Sequence, residues 1–126
     1  MPLVRISLRK GKALAYKRAI ADHVYGAMCA AFNVPEEDRF VLIDEHDEAD
    51  FVYSATYLGI ARDDDLVVIQ ITANNTRTVE QKKALFAAIA ERLTREPGIR
   101  PENIFINLVD VPKENWSFGN GVAQYA

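Results

Sequence analysis

One cysteine, one tryptophan and two histidines are spread over 126 residues. A lone Cys29 excludes a disulfide within the chain, and its apolar surroundings, Ala27-Met28-Cys29-Ala30-Ala31, predict a buried, inert thiol. His46 lies in Asp44-Glu45-His46-Asp47-Glu48 and His23 stands on a helical stretch, so neither has the neighbours a zinc site needs. No metal and no cofactor is expected. The chain also lacks an apolar run approaching the roughly 18 residues of a membrane span, and it has no leader-like start, which makes a cytoplasmic location the default. Nor is there a basic cluster. The net charge of −3 comes from interspersed acids and bases, a poor match for nucleic acid or an anionic membrane. What remains is a chain of 49% hydrophobic content, long enough for one domain over 1–126 and too short for two.

That chain repeats itself. A shift of 65 positions carries Leu3 onto Val68, Ile6 onto Ile71, Lys17 onto Lys82, Ile20 onto Leu85, Val24 onto Ile89, Met28 onto Leu93 and Phe40 onto Phe105. Each half reads strand, helix, strand. Leu3 to Leu8 alternates as a strand, Ala13 to Phe32 carries an apolar stripe at helical spacing, and Arg39 to Glu45 is a second strand. In the second half, Leu66 to Ala73 is a strand, Leu85, Phe86, Ile89, Ala90 and Leu93 stripe a helix that Gly98 stops, and Ile104 to Val109 closes the unit. The fold class is therefore α/β (α+β). Two tandem β-α-β units, about 2–45 and 66–110, form a four-stranded sheet with both helices on one face. The other face is left bare, which points to an oligomer. Residues 46–65 form a bridge without a counterpart at this shift, in which Phe51-Val52-Tyr53 and Tyr57-Leu58-Gly59-Ile60 are short strands or an ordered loop. Asp63-Asp64-Asp65 reads as an acidic turn, and 111–126 is a tail.

Two positions suggest chemistry. Pro2 follows the initiator methionine and heads a strand; small second residues permit methionine removal, which would leave a free secondary amine on Pro2. An α-amino pKa near ~8 is lowered by burial toward neutrality, the range of a general base. Thr78-Val79-Glu80-Gln81 reads as a capping box, so Arg77 sits just outside a helix N-terminus, a place suited to gripping a carboxylate. An exposed arginine before a helix is the plain alternative. The repeat places Lys12 opposite Arg77 and Val67 opposite Pro2, so each half carries only one of the two groups.

The Met1-Pro2 start, the two β-α-β units, the run Arg77-Thr78-Val79-Glu80-Gln81-Lys82 and the tail Asn115-Trp116-Ser117-Phe118-Gly119-Asn120-Gly121 together resemble the tautomerase superfamily. The chain is most similar to its fused-repeat group, which includes malonate semialdehyde decarboxylase. This resemblance implies a homotrimer, with Pro2 catalytic and Arg77 binding a substrate carboxylate. By the same resemblance Asp38 stands beside the proline, and Trp116 and Phe118 form a hydrophobic wall. The decarboxylase pattern has a second arginine where this chain has Asn75, an amide that donates a hydrogen bond without charge.

The leading expectation is a tautomerase moving a proton between oxygen and carbon of a small 2-oxo or 2-hydroxy-enoate carboxylate. Two readings stay open beside it: a decarboxylase or hydratase with protonated Pro2 held by Asp38, and a non-catalytic trimeric binding protein in which Met1 is retained. Asp38 also reads as a turn brace, with Asn103 its counterpart. Arg5 reads as facing an interface or solvent, while His23 and Tyr25 read as packing or surface residues.

Overall fold

A computed structural model describes residues 2–126. Processing of Met1 lies outside the described residues. The elements run β1 (Leu3–Arg9), α1 (Leu14–Phe32), β2 (Val41–His46), β3 (Val67–Asn74), α2 (Val79–Arg95) and β4 (Ile104–Val111). The sheet order is β2-β1-β3-β4. β1 pairs parallel with β2 (Val4 opposite Val41) and β3 parallel with β4 (Val67 opposite Ile104), while β1 and β3 meet antiparallel (Leu3 opposite Thr72). Each β-α-β unit thus contributes two strands, and the two units join along the β1–β3 seam.

Period-two alternation fixes the faces. Val4, Ile6 and Leu8 of β1 and Val67, Ile69 and Ile71 of β3 are buried beneath the helices. Ile20, Val24, Ala27 and Met28 of α1 meet them from above, as do Leu85, Ile89 and Leu93 of α2. Burial of each large aliphatic side chain contributes roughly 1.5–3 kcal/mol. The helices also lie against each other: a Cβ on Gly26 of α1 would come within 2.5 Å of the Arg92 guanidinium of α2. The repeat extends to ion pairs, since Lys17–Glu45 at 2.9 Å and Lys82–Asp110 at 2.7 Å occupy matching places.

Local signals account for the ends of elements. The expected capping box is formed, with Thr78 Oγ1 accepting from Gln81 N at 3.2 Å and Gln81 Oε1 accepting from Thr78 N at 2.8 Å. Asn33 ends α1 at φ 53°, a left-handed conformation that asparagine tolerates. β2 begins at Val41 rather than Arg39, because Asp38 N and Arg39 N are already committed to turn bonds with Pro35 O and Glu37 O, each 3.0 Å. β2 and β4 run to His46 and Val111, one and two residues beyond the expected Glu45 and Val109.

The bridge corrects the sequence reading in one respect. Glu48–Asp50 forms a 3-10 turn, and so does Lys113–Asn115, 65 positions on, so the repeat continues past the second strand of each unit. Phe51, Val52 and Tyr53 then match Trp116, Ser117 and Phe118, side chains different enough to hide the correspondence. The segment from Phe51 is an ordered loop rather than a strand, with a further 3-10 turn at Tyr57–Gly59. Cys29 is half-buried at the core's margin, not fully enclosed as its neighbours implied. No helix among the described residues is long and apolar enough to cross a membrane.

Candidate active site

The register brings the start of β1, the start of β2 and the ends of β3 and β4 to one edge of the molecule. Buried Pro2 precedes Leu3 there, and Val4 N donates to Phe40 O at 3.0 Å, fixing the head of β1 beside the chain that enters β2. Asp38 closes the turn just before that strand. Its Oδ1 is buried, and burial raises its pKa above the usual aspartate value while positive charge nearby, Arg77 included, opposes the rise.

Arg77 approaches the same edge from the segment between β3 and α2. Its Nη2 donates to Phe32 O at 3.0 Å, and the guanidinium lies 4.7 Å from the Phe32 ring centroid. Half-buried, it forms no ion pair among the described residues; desolvation lowers its pKa, with Asp38, Asp110 and Tyr125 acting against that. Its repeat counterpart differs. Lys12 Nζ lies 2.6 Å from Asp65, which raises the lysine pKa and neutralises it.

The tail forms the wall. Trp116 and Phe118 stack with centroids 5.4 Å apart and planes 18° from parallel, and Tyr125 meets Phe118 edge-on at 4.9 Å. Phe118 N donates to Gln124 Oε1 at 3.0 Å, and Gln124 Nε2 donates to Gly119 O at 2.9 Å, which folds the tail back on itself. Leu3, Phe40, Trp116, Ser117 and Phe118 enclose a cavity of about 200 Å³.

The sequence-predicted residues are therefore gathered at one end of the sheet: Pro2, Asp38, Asn75, Arg77, Trp116 and Phe118. Asn75 is exposed, its backbone N bonded to Val111 O at 3.0 Å. Sequence reading missed Asn74 and Tyr125. Asn74 is 7% exposed, and its Oδ1 accepts from Trp116 Nε1 at 2.8 Å, orienting the indole. A buried amide in a strand of β-branched residues is the signal that could have found it. Of the residues given packing or surface readings, Arg5 pairs with Asp44 at 3.2 Å on the open sheet face and His23 lies 3.6 Å from Glu96. Asn103 binds Asp63, its Nδ2 donating at 2.7 Å.

Comparisons with known proteins bear on the family of this fold. Two family models, each described as "Tautomerase enzyme", match residues 2–61 and 38–119. "Probable tautomerase YusQ" of Bacillus subtilis (strain 168) is 41% identical over 124 residues, covering 98% of both chains. The structure of FG41 malonate semialdehyde decarboxylase inhibited by 3-bromopropiolate is similar at 36% identity and a TM-score of 0.91, over 98% of this chain and 93% of that one. A fused 4-OT wild-type symmetric trimer shares the fold at 24% identity and a TM-score of 0.79, over 98% and 97% of the chains. On its sequence, its sheet and the matches that span it, the chain belongs to the tautomerase enzyme family.

Proposed function

We propose that the protein is a tautomerase acting on a small 2-oxo or 2-hydroxy-enoate carboxylate, with Pro2 as its base once Met1 is removed. The observation that carries this reading is the contrast between Arg77 and Lys12. At the Pro2 end the helix-start cation is half-buried and without an ion pair among the described residues; at the other end Asp65 neutralises it. Arg77 grips the substrate carboxylate through donors not used on Phe32 O and draws charge toward it as the dienolate develops. Neutral Pro2 takes the proton from the 2-hydroxyl and returns it at the conjugated carbon, so one nitrogen serves as base and then acid. Asn75 adds a hydrogen bond, and Trp116 with Phe118 keeps the amine desolvated. The centre of the open sheet face, flanked by exposed Leu42 and Val109, is covered in a homotrimer.

Pro2→Ala keeps a primary amine and is expected to lose roughly a hundredfold in kcat, within the span attributed to general bases. Arg77→Ala is expected to raise KM by roughly 10- to 100-fold, the worth of a charge-assisted bond. Steady-state kinetics of 2-hydroxy-enoate ketonisation reads both, and unchanged activity in the two variants would overturn the assignment. An NMR titration of the Pro2 nitrogen complements them, with a midpoint at or below neutrality expected. No titrating amine would mean a retained Met1 and a non-catalytic binding protein.

A second reading has its own support. Asp38 is half-buried at the same edge, and the likeness to a decarboxylase covers nearly the whole chain. With Pro2 protonated beside Asp38, the ammonium would polarise the carbonyl of a 3-oxo acid and release carbon dioxide. A Pro2 midpoint well above neutrality, with carbon dioxide evolved from a 3-oxo acid, would favour it.

A further inference from the structure

The repeat that builds the candidate active site also builds a cavity at the opposite end of the sheet. Val68 stands there for Leu3, Phe105 for Phe40, Val52 for Ser117 and Tyr53 for Phe118, and all four matched pairs line their respective cavities. The second cavity, of about 290 Å³, is the roomier, and it sits at the lower margin of the roughly 300–1,000 Å³ typical of ligand pockets. No proline amine can act in it, because Val67 occupies the position of Pro2 and is buried in the sheet.

Its walls are held in place. Tyr53 Oη donates to Asp64 Oδ1 at 2.7 Å. Ser54 Oγ accepts from Tyr57 N at 3.1 Å, and Leu66 closes the floor at 3% exposure. Arg62 brings the charge. Its Nη1 donates to three carbonyls of the loop, Ser54 O at 3.2 Å, Tyr57 O at 3.1 Å and Ile60 O at 3.4 Å. Those bonds fix the guanidinium in space but leave its charge intact. Among the described residues it has no carboxylate partner, and its Nη2 and Nε form no hydrogen bond. The neighbouring cations differ in this respect, since Arg9 pairs with Asp64, Lys12 with Asp65 and Arg100 with Asp63. The acidic turn thus serves Arg9, Lys12 and Arg100 but not the arginine that lines the cavity.

We propose that this cavity is a second, non-catalytic binding site for a small carboxylate with an apolar or aromatic body. The body packs between Phe105, Tyr57 and Val68, and the carboxylate takes the free edge of Arg62. The two ends of the sheet then recognise the same chemical class, one converting it and one only holding it. Because the site lacks Pro2 and Arg77, it stands whether or not the tautomerase reading holds.

Phenylacetate is a suitable probe, since it has the carboxylate and ring but no 2-oxo group to enolise. Titration into 15N-labelled full chain, followed through backbone amides and arginine Nε–H signals, is expected to give saturable shifts at Arg62, Tyr53 and Tyr57. Arg62→Gln should weaken that binding at least about tenfold. Val52→Glu, at a rim residue 93% exposed and outside the loop's hydrogen bonds, should weaken it too while leaving the fold and turnover unchanged. Absence of saturable shifts at Arg62, including because a neighbouring copy fills the cavity, overturns the proposal, as does binding that neither variant reduces. Shifts at Arg62 without any at Arg77 sustain this site and count against the carboxylate role of Arg77.

Discussion

Asn74 ties the aromatic wall to the sheet through one hydrogen bond. It ends β3 where that strand meets the head of β1, and its carbonyl oxygen is the acceptor for the only indole in the chain. Asn74→Ala removes that acceptor and leaves the indole N–H half-buried without its partner. The loss of one such bond is worth about 1 kcal/mol, close to a fivefold change in an equilibrium or rate. We expect kcat/KM to fall by about that factor, with a shift in the Trp116 fluorescence maximum; an unchanged emission spectrum would show that the indole is oriented by other contacts. At this scale the sequence is informative where chemistry is attached to a position in a motif. Pro2 and Arg77 stand out because one follows the initiator and the other precedes a capping box. Asn74 does not, because its bond to Trp116 spans 42 residues of sequence, and Tyr125 does not, because only the folding back of the tail sets it edge-on against Phe118. Arg62 was silent for a similar reason: only the loop's closure reveals a cation with no acid.

Among the elements, α2 is the one whose start is tied to the site, since Thr78 caps the helix immediately after Arg77. Its capping box satisfies two backbone donors that the first turn would otherwise leave to water. Thr78→Ala should cost about 1 kcal/mol, the usual worth of such a cap, and it frees the residue preceding it. Urea denaturation is expected to report that loss, with an increase in KM, whereas a KM change without a stability change would separate Arg77 from the cap. α1 begins at Leu14 behind Ala13, which offers no side-chain cap, so the matching helix start carries no such support. Hydrophobic periodicity made both helices and all four strands legible, since burial follows the alternation of β1 and β3 closely. Strand ends were less legible. The start of β2 is set by turn bonds at Asp38 and Arg39, and the continuation of the repeat through the bridge is carried by backbone shape rather than by residue type.

For the whole molecule, one sheet face is covered by helices and the other presents Arg5, Ser7, Gln70 and Thr72 at its centre, with Leu42, Phe105 and Val109 toward its edges. Arg5 with Asp44 and Gln70 with Asn107 satisfy some of the polar groups before any partner arrives. A homotrimer should sediment at about three times the 14.1 kDa chain mass, and a monomer at micromolar concentration would remove the interface proposed for this face. The strand order has a separate consequence for how the chain finds this shape. Within each unit the two strands pair across one intervening helix, whereas the seam between β1 and β3 joins residues such as Leu3 and Thr72 that lie far apart along the chain. Each unit pairs its strands over a shorter span of chain, so loop closure across the seam is the entropically costlier pairing. Substitutions at the seam, such as Ile6→Ala or Ile69→Ala, bear on the step at which two half-proteins become one.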